Sequence, residues 1–210
     1  MASRSPRGKI LGAKARSDGD TGGGEVRIVG GAWRGRKIAV PDGVLVRPTG
    51  ERAREAIFNR LTHGFSDIGF RLPGAHVVDL FAGTGAFGFE ALSRGAATAA
   101  FVEASPAVVA GLKATVGKLG AEDRTTITLC DACALTRGNA NATLVFLDPP
   151  YGENLLAHAL ASLRQRHWLA ANALVIAECD AGDERPALDG YRLIDTRDYG
   201  RASFLFLAAE

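Results

Sequence analysis

From His76 to the end of the chain, short apolar runs alternate with stretches of helical periodicity, and this alternation constrains the fold more than any other feature. Runs near 76–81, 98–103, 125–129, 143–148, 173–178, 190–196 and 202–208 read as strands. Residues 86–94, 106–119 and 153–167 read as helices, with shorter helical pieces between. Strands that alternate with helices are joined by parallel crossovers, so the sheet must carry helices on both faces. The last two runs differ. Only a short polar link through Tyr199 and Gly200 separates Tyr191–Thr196 from Ala202–Ala208. A parallel crossover needs a dozen or more residues, so this pair is antiparallel. The spacing predicts an α/β, Rossmann-like sheet of seven strands, mostly parallel, with one antiparallel strand.

Charge is unevenly placed. Segment 1–54 carries twelve Lys/Arg against five Asp/Glu, whereas segment 55–210 carries 13 against 18. Such an asymmetry suits either a polyanionic partner or a solvated basic tail. Residues 1–24 hold almost nothing apolar and are expected to form a disordered basic arm. Residues 25–48 read as a small extension built on a β-hairpin over Glu25–Val40, in which Val26, Ile28, Val29, Ile38 and Val40 alternate around Gly30-Gly31. Trp33, Arg34, Arg36 and Lys37 fall at its turn. An aromatic ring among cations combines stacking with phosphate contacts, which suits RNA; an ordinary solvated hairpin would look the same. The main domain, 49–210, opens on a helix from Thr49 to about His63, with Ala53, Ile57 and Leu61 on one face.

Val77-Val78-Asp79-Leu80-Phe81-Ala82-Gly83-Thr84-Gly85 ends a strand and enters a helix. Gly83 and Gly85 permit a tight turn and a close ligand approach. With Gly88 the stretch reads G-x-G-x-x-G, and Glu103 follows at the end of the next strand, the place where a ribose would be held. These features indicate a cofactor containing adenosine, either a dinucleotide or S-adenosylmethionine. Asp79 inclines the balance. A carboxylate at the end of an apolar strand needs partners; a sulfonium cofactor with an ammonium group offers positive charge, and a pyrophosphate would be repelled. The alternative for Asp79 is a carboxylate that ties a loop or caps a helix.

The apolar run Leu144–Leu147 ends in Asp148-Pro149-Pro150-Tyr151. The two prolines fix φ and remove two N–H donors, leaving a stiff loop that presents acceptors. The lone pair of an exocyclic base amine is delocalised into its ring. The Asp148 carboxylate and the Pro149 carbonyl can each accept one amine hydrogen, which turns the nitrogen toward tetrahedral geometry. Tyr151 can stack on a base drawn out of its helix.

Asp148–Tyr151 together with Phe81–Gly85 resembles the class I amino-methyltransferases of nucleic acids. Arg27-Ile28-Val29-Gly30-Gly31, Trp33-Arg34-Gly35-Arg36, Arg47-Pro48-Thr49, Arg52, Arg54-Glu55 and Phe58-Asn59 narrow the resemblance to the bacterial RsmD family, over roughly residues 25–208. That resemblance implies a class I methyltransferase fold and methylation of the 2-amino group of one guanine in 16S ribosomal RNA, within the small subunit or its assembly intermediate. It implies S-adenosyl-L-methionine as cofactor, held by Asp79, Phe81, Ala82, Gly83, Thr84 and Gly85, by Glu103 at the ribose, and by Asp131 and Ala132 near the adenine. Arg47 and Thr49 would line the site where cofactor and base meet. The enzyme is expected to act as a monomer.

Other readings remain open on the motifs alone. An NAD-dependent oxidoreductase would use Gly83, Gly85, Gly88 and Glu103 but leave Asp148–Tyr151 without a task. A non-catalytic RNA-binding protein would use only the basic segment 1–54. A DNA or RNA amino-methyltransferase acting on adenine or cytosine shares the tetrapeptide, and only the N-terminal string separates it. Cys130, Cys133 and Cys179 are an odd, sparse set, which argues against a disulfide framework, and Cys130-x-x-Cys133 lacks a second pair or nearby histidines for zinc, so no metal is expected. No apolar run approaches the roughly 20 residues that cross a bilayer, and the polar start has no secretory core, so the cytoplasm is the expected location.

Overall fold

The computed structural model describes residues 26–40, 50–63, 65–139, 141–150, 155–182 and 186–210. The expected arm 1–24 therefore lies outside the described residues, as do Arg47, Thr49, Gly64 and Tyr151.

A two-stranded antiparallel ladder, β1 (Val26–Arg27) and β2 (Lys37–Ile38), precedes the main sheet. The expected hairpin is present, but its ladder holds only two residue pairs. A 3-10 turn over Gly31–Trp33 fills the connection. The chain then forms α1 (Glu51–His63), β3 (His76–Leu80), α2 (Ala86–Ser93), β4 (Thr98–Glu103), α3 (Pro106–Leu119), β5 (Thr125–Leu129), β6 (Ala142–Leu147), α4 (Leu155–Gln165), β7 (Leu169–Asp180), β8 (Tyr191–Tyr199) and β9 (Ala202–Ala209).

The main sheet has seven strands in the order β5-β4-β3-β6-β7-β9-β8. β9 runs antiparallel to both β7 and β8, and the other pairings are parallel. β7 and β8 extend beyond the apolar runs at their centres, because ladder hydrogen bonds continue past the hydrophobic segment. β7 bends at a bulge opposite Ala142–Leu144.

Strand periodicity sorts the core into two layers. Val77, Phe101, Leu144 and Phe146 face one side, with α1, α2, α3 and the hairpin. Val78, Leu80, Val102, Val145 and Leu147 face the other, with α4. On the first side Phe87 of α2 stacks on Phe146 of β6 at 4.5 Å, and Phe58 of α1 lies 5.7 Å from Phe146. Aromatic contact thus locks α1 and α2 over the sheet centre.

The chain starts mid-sheet at β3, runs outward through β4 and β5, and returns to β6 on the other side of β3. β3 and β6 are therefore neighbours at the point where strand order reverses, with Leu80 beside Leu147. In open α/β sheets ligands bind outside the carboxyl ends of strands at such a crevice.

Candidate active site

Because Leu80 and Leu147 are paired, the segments that follow them, the glycine loop from Phe81 and Asp148-Pro149-Pro150, leave the sheet side by side. The loop is tightly wound. Phe81 has φ 63°, an uncommon left-handed conformation for a residue with a side chain, which costs on the order of 1–2 kcal/mol. The Ala82 N–H donates to the Val102 carbonyl at 2.9 Å, and the Gly85 N–H to the Ala82 carbonyl at 2.7 Å. Gly85 has φ 75°, and a Cβ there would meet Leu112, Phe89 and Phe101 within 2.9 Å, so both conformation and space call for glycine.

Glu103, at the end of β4, holds this loop. Its Oε2 accepts the Gly83 N–H at 2.9 Å and its Oε1 accepts the Ser105 N–H at 2.8 Å. The carboxylate is half-buried and keeps lone pairs for a further donor.

Asp79 lies beneath the loop and is 4% exposed. Its Oδ2 accepts the Gly88 N–H from the first turn of α2 at 2.9 Å. Burial pushes its carboxyl up to about 8; the Gly88 N–H opposes that rise, and repulsion from Asp148 and then Glu103 adds to it. Asp79, Glu103 and Asp148 therefore converge at adjacent strand ends. A cation bound there would relieve their repulsion, so the acidic set fits a sulfonium and ammonium ligand and disfavours a pyrophosphate. The helix-tying alternative for Asp79 is realised through Gly88, and that tie is compatible with a cationic ligand nearby.

Asp148 is half-buried, Pro149 buried and Pro150 exposed. Asp131, at the end of β5, is exposed and accepts the Cys133 N–H at 2.8 Å; Ala132 is buried in the second core layer. Thr84 is half-buried on the glycine loop. The Cys130 thiol donates to backbone carbonyls of Asp131 and Ala134, and Cys133 donates to that of Leu155. Cys130, Cys133 and Cys179 all keep unbridged thiols. Among the described residues no group of side chains that could hold a metal is found, and no helix is long and apolar enough to cross a membrane.

The structure does not bring Trp33, Arg34, Arg36 and Lys37 to this edge of the sheet. Arg124 stacks over the half-buried Trp33 ring at 5.1 Å, and the Arg36 guanidinium donates to the Lys118 carbonyl at 2.7 Å. Lys118 lies in the last turn of α3 and Arg124 precedes β5, so the hairpin turn lies at the amino-terminal edge of the parallel strands.

Sequence reasoning missed the device that docks the hairpin there. Glu90 of α2 is fully buried; it accepts the Val29 N–H at 2.7 Å and pairs with Arg94 Nε at 2.6 Å. Arg54 of α1, also buried, lies 3.8 Å from Glu90 through Nε and donates to the Arg27 carbonyl. Burial pulls the Arg54 guanidinium down, and Glu90 opposes this. Ser93 donates to the Gly30 carbonyl and accepts the Trp33 N–H. A signal was present: Glu90 is the one carboxylate in the apolar run 86–92, and it warranted the question asked of Asp79.

The model of the family described as conserved hypothetical protein 95 matches residues 26–208. Ribosomal RNA small subunit methyltransferase D of Escherichia coli (strain K12) is 37% identical over 168 residues, 80% of this chain and 81% of that protein. The protein of the same name from Haemophilus influenzae is 34% identical over 188 residues, 86% and 92% of the two chains. Among solved structures, Escherichia coli yhhF superposes with a TM-score of 0.77 at 32% identity, covering 89% of this chain and 99% of its own. A Salinibacter ruber RNA methyltransferase in complex with S-adenosyl-L-homocysteine shares the fold, with a TM-score of 0.57 at 14% identity, covering 78% and 94%.

Proposed function

This chain belongs to the RsmD family, described as conserved hypothetical protein 95, and from that premise we propose that it transfers a methyl group from S-adenosylmethionine to the exocyclic 2-amino group of a guanine in 16S ribosomal RNA. The substrate is the small ribosomal subunit or an intermediate of its assembly. One observation carries the reading: the Leu80–Leu147 pairing sets the glycine loop beside Asp148-Pro149 at the switch point of the sheet. The names of the relatives support ribosomal RNA as the methyl acceptor, and the product bound to the Salinibacter protein supports the choice of cofactor.

In this proposal Asp79, Phe81–Gly85 and Glu103 hold the cofactor, with Asp131 and Ala132 at its adenine and Arg47 and Thr49 near the base. When bound, S-adenosylmethionine supplies an electrophilic methyl on a cationic sulfur. The Asp148 carboxylate and Pro149 carbonyl accept the two hydrogens of the guanine amine and turn its lone pair out of the ring plane. Pro150 stiffens this segment, and Tyr151 stacks on the base. The departing proton passes to Asp148 or to water. Trp33, Arg34, Arg36 and Lys37 contact RNA away from the reacting atoms.

The test is transfer of a labelled methyl group to small subunits that lack the modification, followed by nucleoside analysis. N2-methylguanosine at one 16S position is the expected product. Label on adenine or cytosine, or in DNA, would preserve the mechanism and overturn the substrate; absence of label would overturn the activity.

A further inference from the structure

The hairpin turn, the end of α3 and the turn before β5 form one cationic surface. Three contacts join them: Arg36 to the Lys118 carbonyl, Arg124 over Trp33, and the Ala39 N–H to Thr115 Oγ1 at 3.0 Å. Arg34, Arg36, Lys37 and Lys118 are exposed and Arg124 is half-buried. Glu122 and Asp123 share the neighbourhood, and the cations outnumber them. Capping of α3 explains Arg36, whose guanidinium satisfies a terminal carbonyl and whose charge suits that end of the helix dipole. It does not explain why Arg34, Lys37 and Arg124 gather around the same helix end.

The place of this surface is informative. Arg124 precedes β5, and the catalytic edge lies beyond the far end of that strand. At about 3.3 Å per residue, five residues separate the two by roughly 16 Å or more. We propose that Lys118 and Arg124 act with Arg34, Arg36 and Lys37 as a distal grip on the phosphate backbone of a folded RNA whose target base lies at the Asp148 edge. This rests on the proposed RNA substrate. A partner that reaches both edges is an extended polyanion; a free nucleotide or a very short oligonucleotide engages only the catalytic edge. The grip would thus select for folded RNA by size and charge, without reading sequence.

The experiment uses the full chain and small ribosomal subunits that lack the modification, with affinity measured across a salt series. The variants are Lys118→Glu, Arg124→Gln and their combination. Arg192→Glu, on the opposite edge strand β8, serves as the control for charge reversal elsewhere. The Lys118 side chain is exposed and only its carbonyl takes part in the Arg36 contact, so Lys118→Glu keeps that bond. Each neutralised phosphate contact contributes about 0.7–0.9 to the log–log salt slope. The double variant is expected to lower the slope by about 1.4–1.8 and weaken RNA binding roughly tenfold, while Arg192→Glu leaves both at the wild-type level. If Arg124→Gln lowers the melting temperature by loosening Trp33, Lys118→Glu alone carries the test, with a slope fall of about 0.7–0.9. An unchanged slope in the variants, with a wild type that binds and methylates the subunits, would overturn the grip and leave the proposed function standing; a wild type that neither binds nor methylates them would overturn both.

Discussion

The backbone N–H of Gly88 donates to Oδ2 of Asp79 across 2.9 Å, tying the first turn of α2 to the end of β3 beneath the glycine loop. It partly offsets the burial that pushes the Asp79 carboxyl up to about 8. The unfolded chain loses this proton near about pH 4, whereas the folded chain keeps it to about 8. This contribution to stability is therefore full below about pH 4 and is lost as pH rises toward 8, by up to about 1.4 kcal/mol per pH unit. A bound cation favours the carboxylate and expels the proton. Cofactor affinity should accordingly rise between about pH 6 and 8, with release of up to about one proton at pH 7. Asp79→Asn should weaken binding and flatten this dependence. Calorimetry in two buffers of different ionisation enthalpy counts the proton; a count of zero at pH 7 would contradict the assignment.

Asp148 is expected to act on the base amine rather than on the cofactor. Asp148→Asn should lower kcat by about 100-fold or more and leave the cofactor dissociation constant within about threefold. It should also shift the midpoint of pH-dependent cofactor binding downward, because one of the charges that repel Asp79 is gone. Single-turnover methyl transfer checks the first expectation; near-normal turnover would remove Asp148 from the chemistry.

Gly88 matters for space. A Cβ at this position would lie 2.4 Å from Cε1 of Phe101 and 3.2 Å from Oδ2 of Asp79. Gly88→Ala gains about 1 kcal/mol of helix propensity but overpacks the α2–β4 contact, at a cost of about 1–3 kcal/mol. A net loss of stability is expected, and Phe101→Leu in the same chain should recover part of it. Denaturant unfolding of both singles and the double reads the coupling; strictly additive effects would show that Phe101 is not the obstruction.

Glu90→Gln should be costly although it lies outside the glycine loop. It leaves the buried Arg54 without its countercharge, and breaking a buried pair from one side costs about 3–5 kcal/mol. In a chain of this size, at about 2–4 °C per kcal/mol, the melting temperature should fall by about 6 °C or more. Hydrogen exchange at Val29, whose N–H Glu90 holds, should accelerate more than exchange in β6. Uniform acceleration would mean that the network does not dock the hairpin specifically.

Much of the core fold was legible in the chain because its signals are local. Leu144–Leu147 is apolar at every position since both faces of β6 are buried, and the short link at Tyr199–Gly200 dictates an antiparallel turn wherever the strands lie. Gly83 and Gly85 announce a tight turn by lacking a side chain. The hairpin was harder to read. Its ladder is two pairs long, and its position depends on Arg54 of α1 and on Glu90 and Ser93 of α2, all remote from it in sequence.

By itself the sequence determined which segments become strands, that the last two strands run antiparallel, and which carboxylates and prolines stand at the ends of β3, β4 and β6, because periodicity, turn chemistry and motif spacing act within a few residues. Only the tertiary structure decided that Asp79 keeps its proton to about pH 8, since this depends on burial and on Asp148, which follows a different strand. It also decided that Trp33 and Arg36 meet Arg124 and Lys118 at the edge of the sheet opposite Asp148. Burial and charge pairing are properties of neighbours in space, and those neighbours are set by packing over distances that no local pattern encodes.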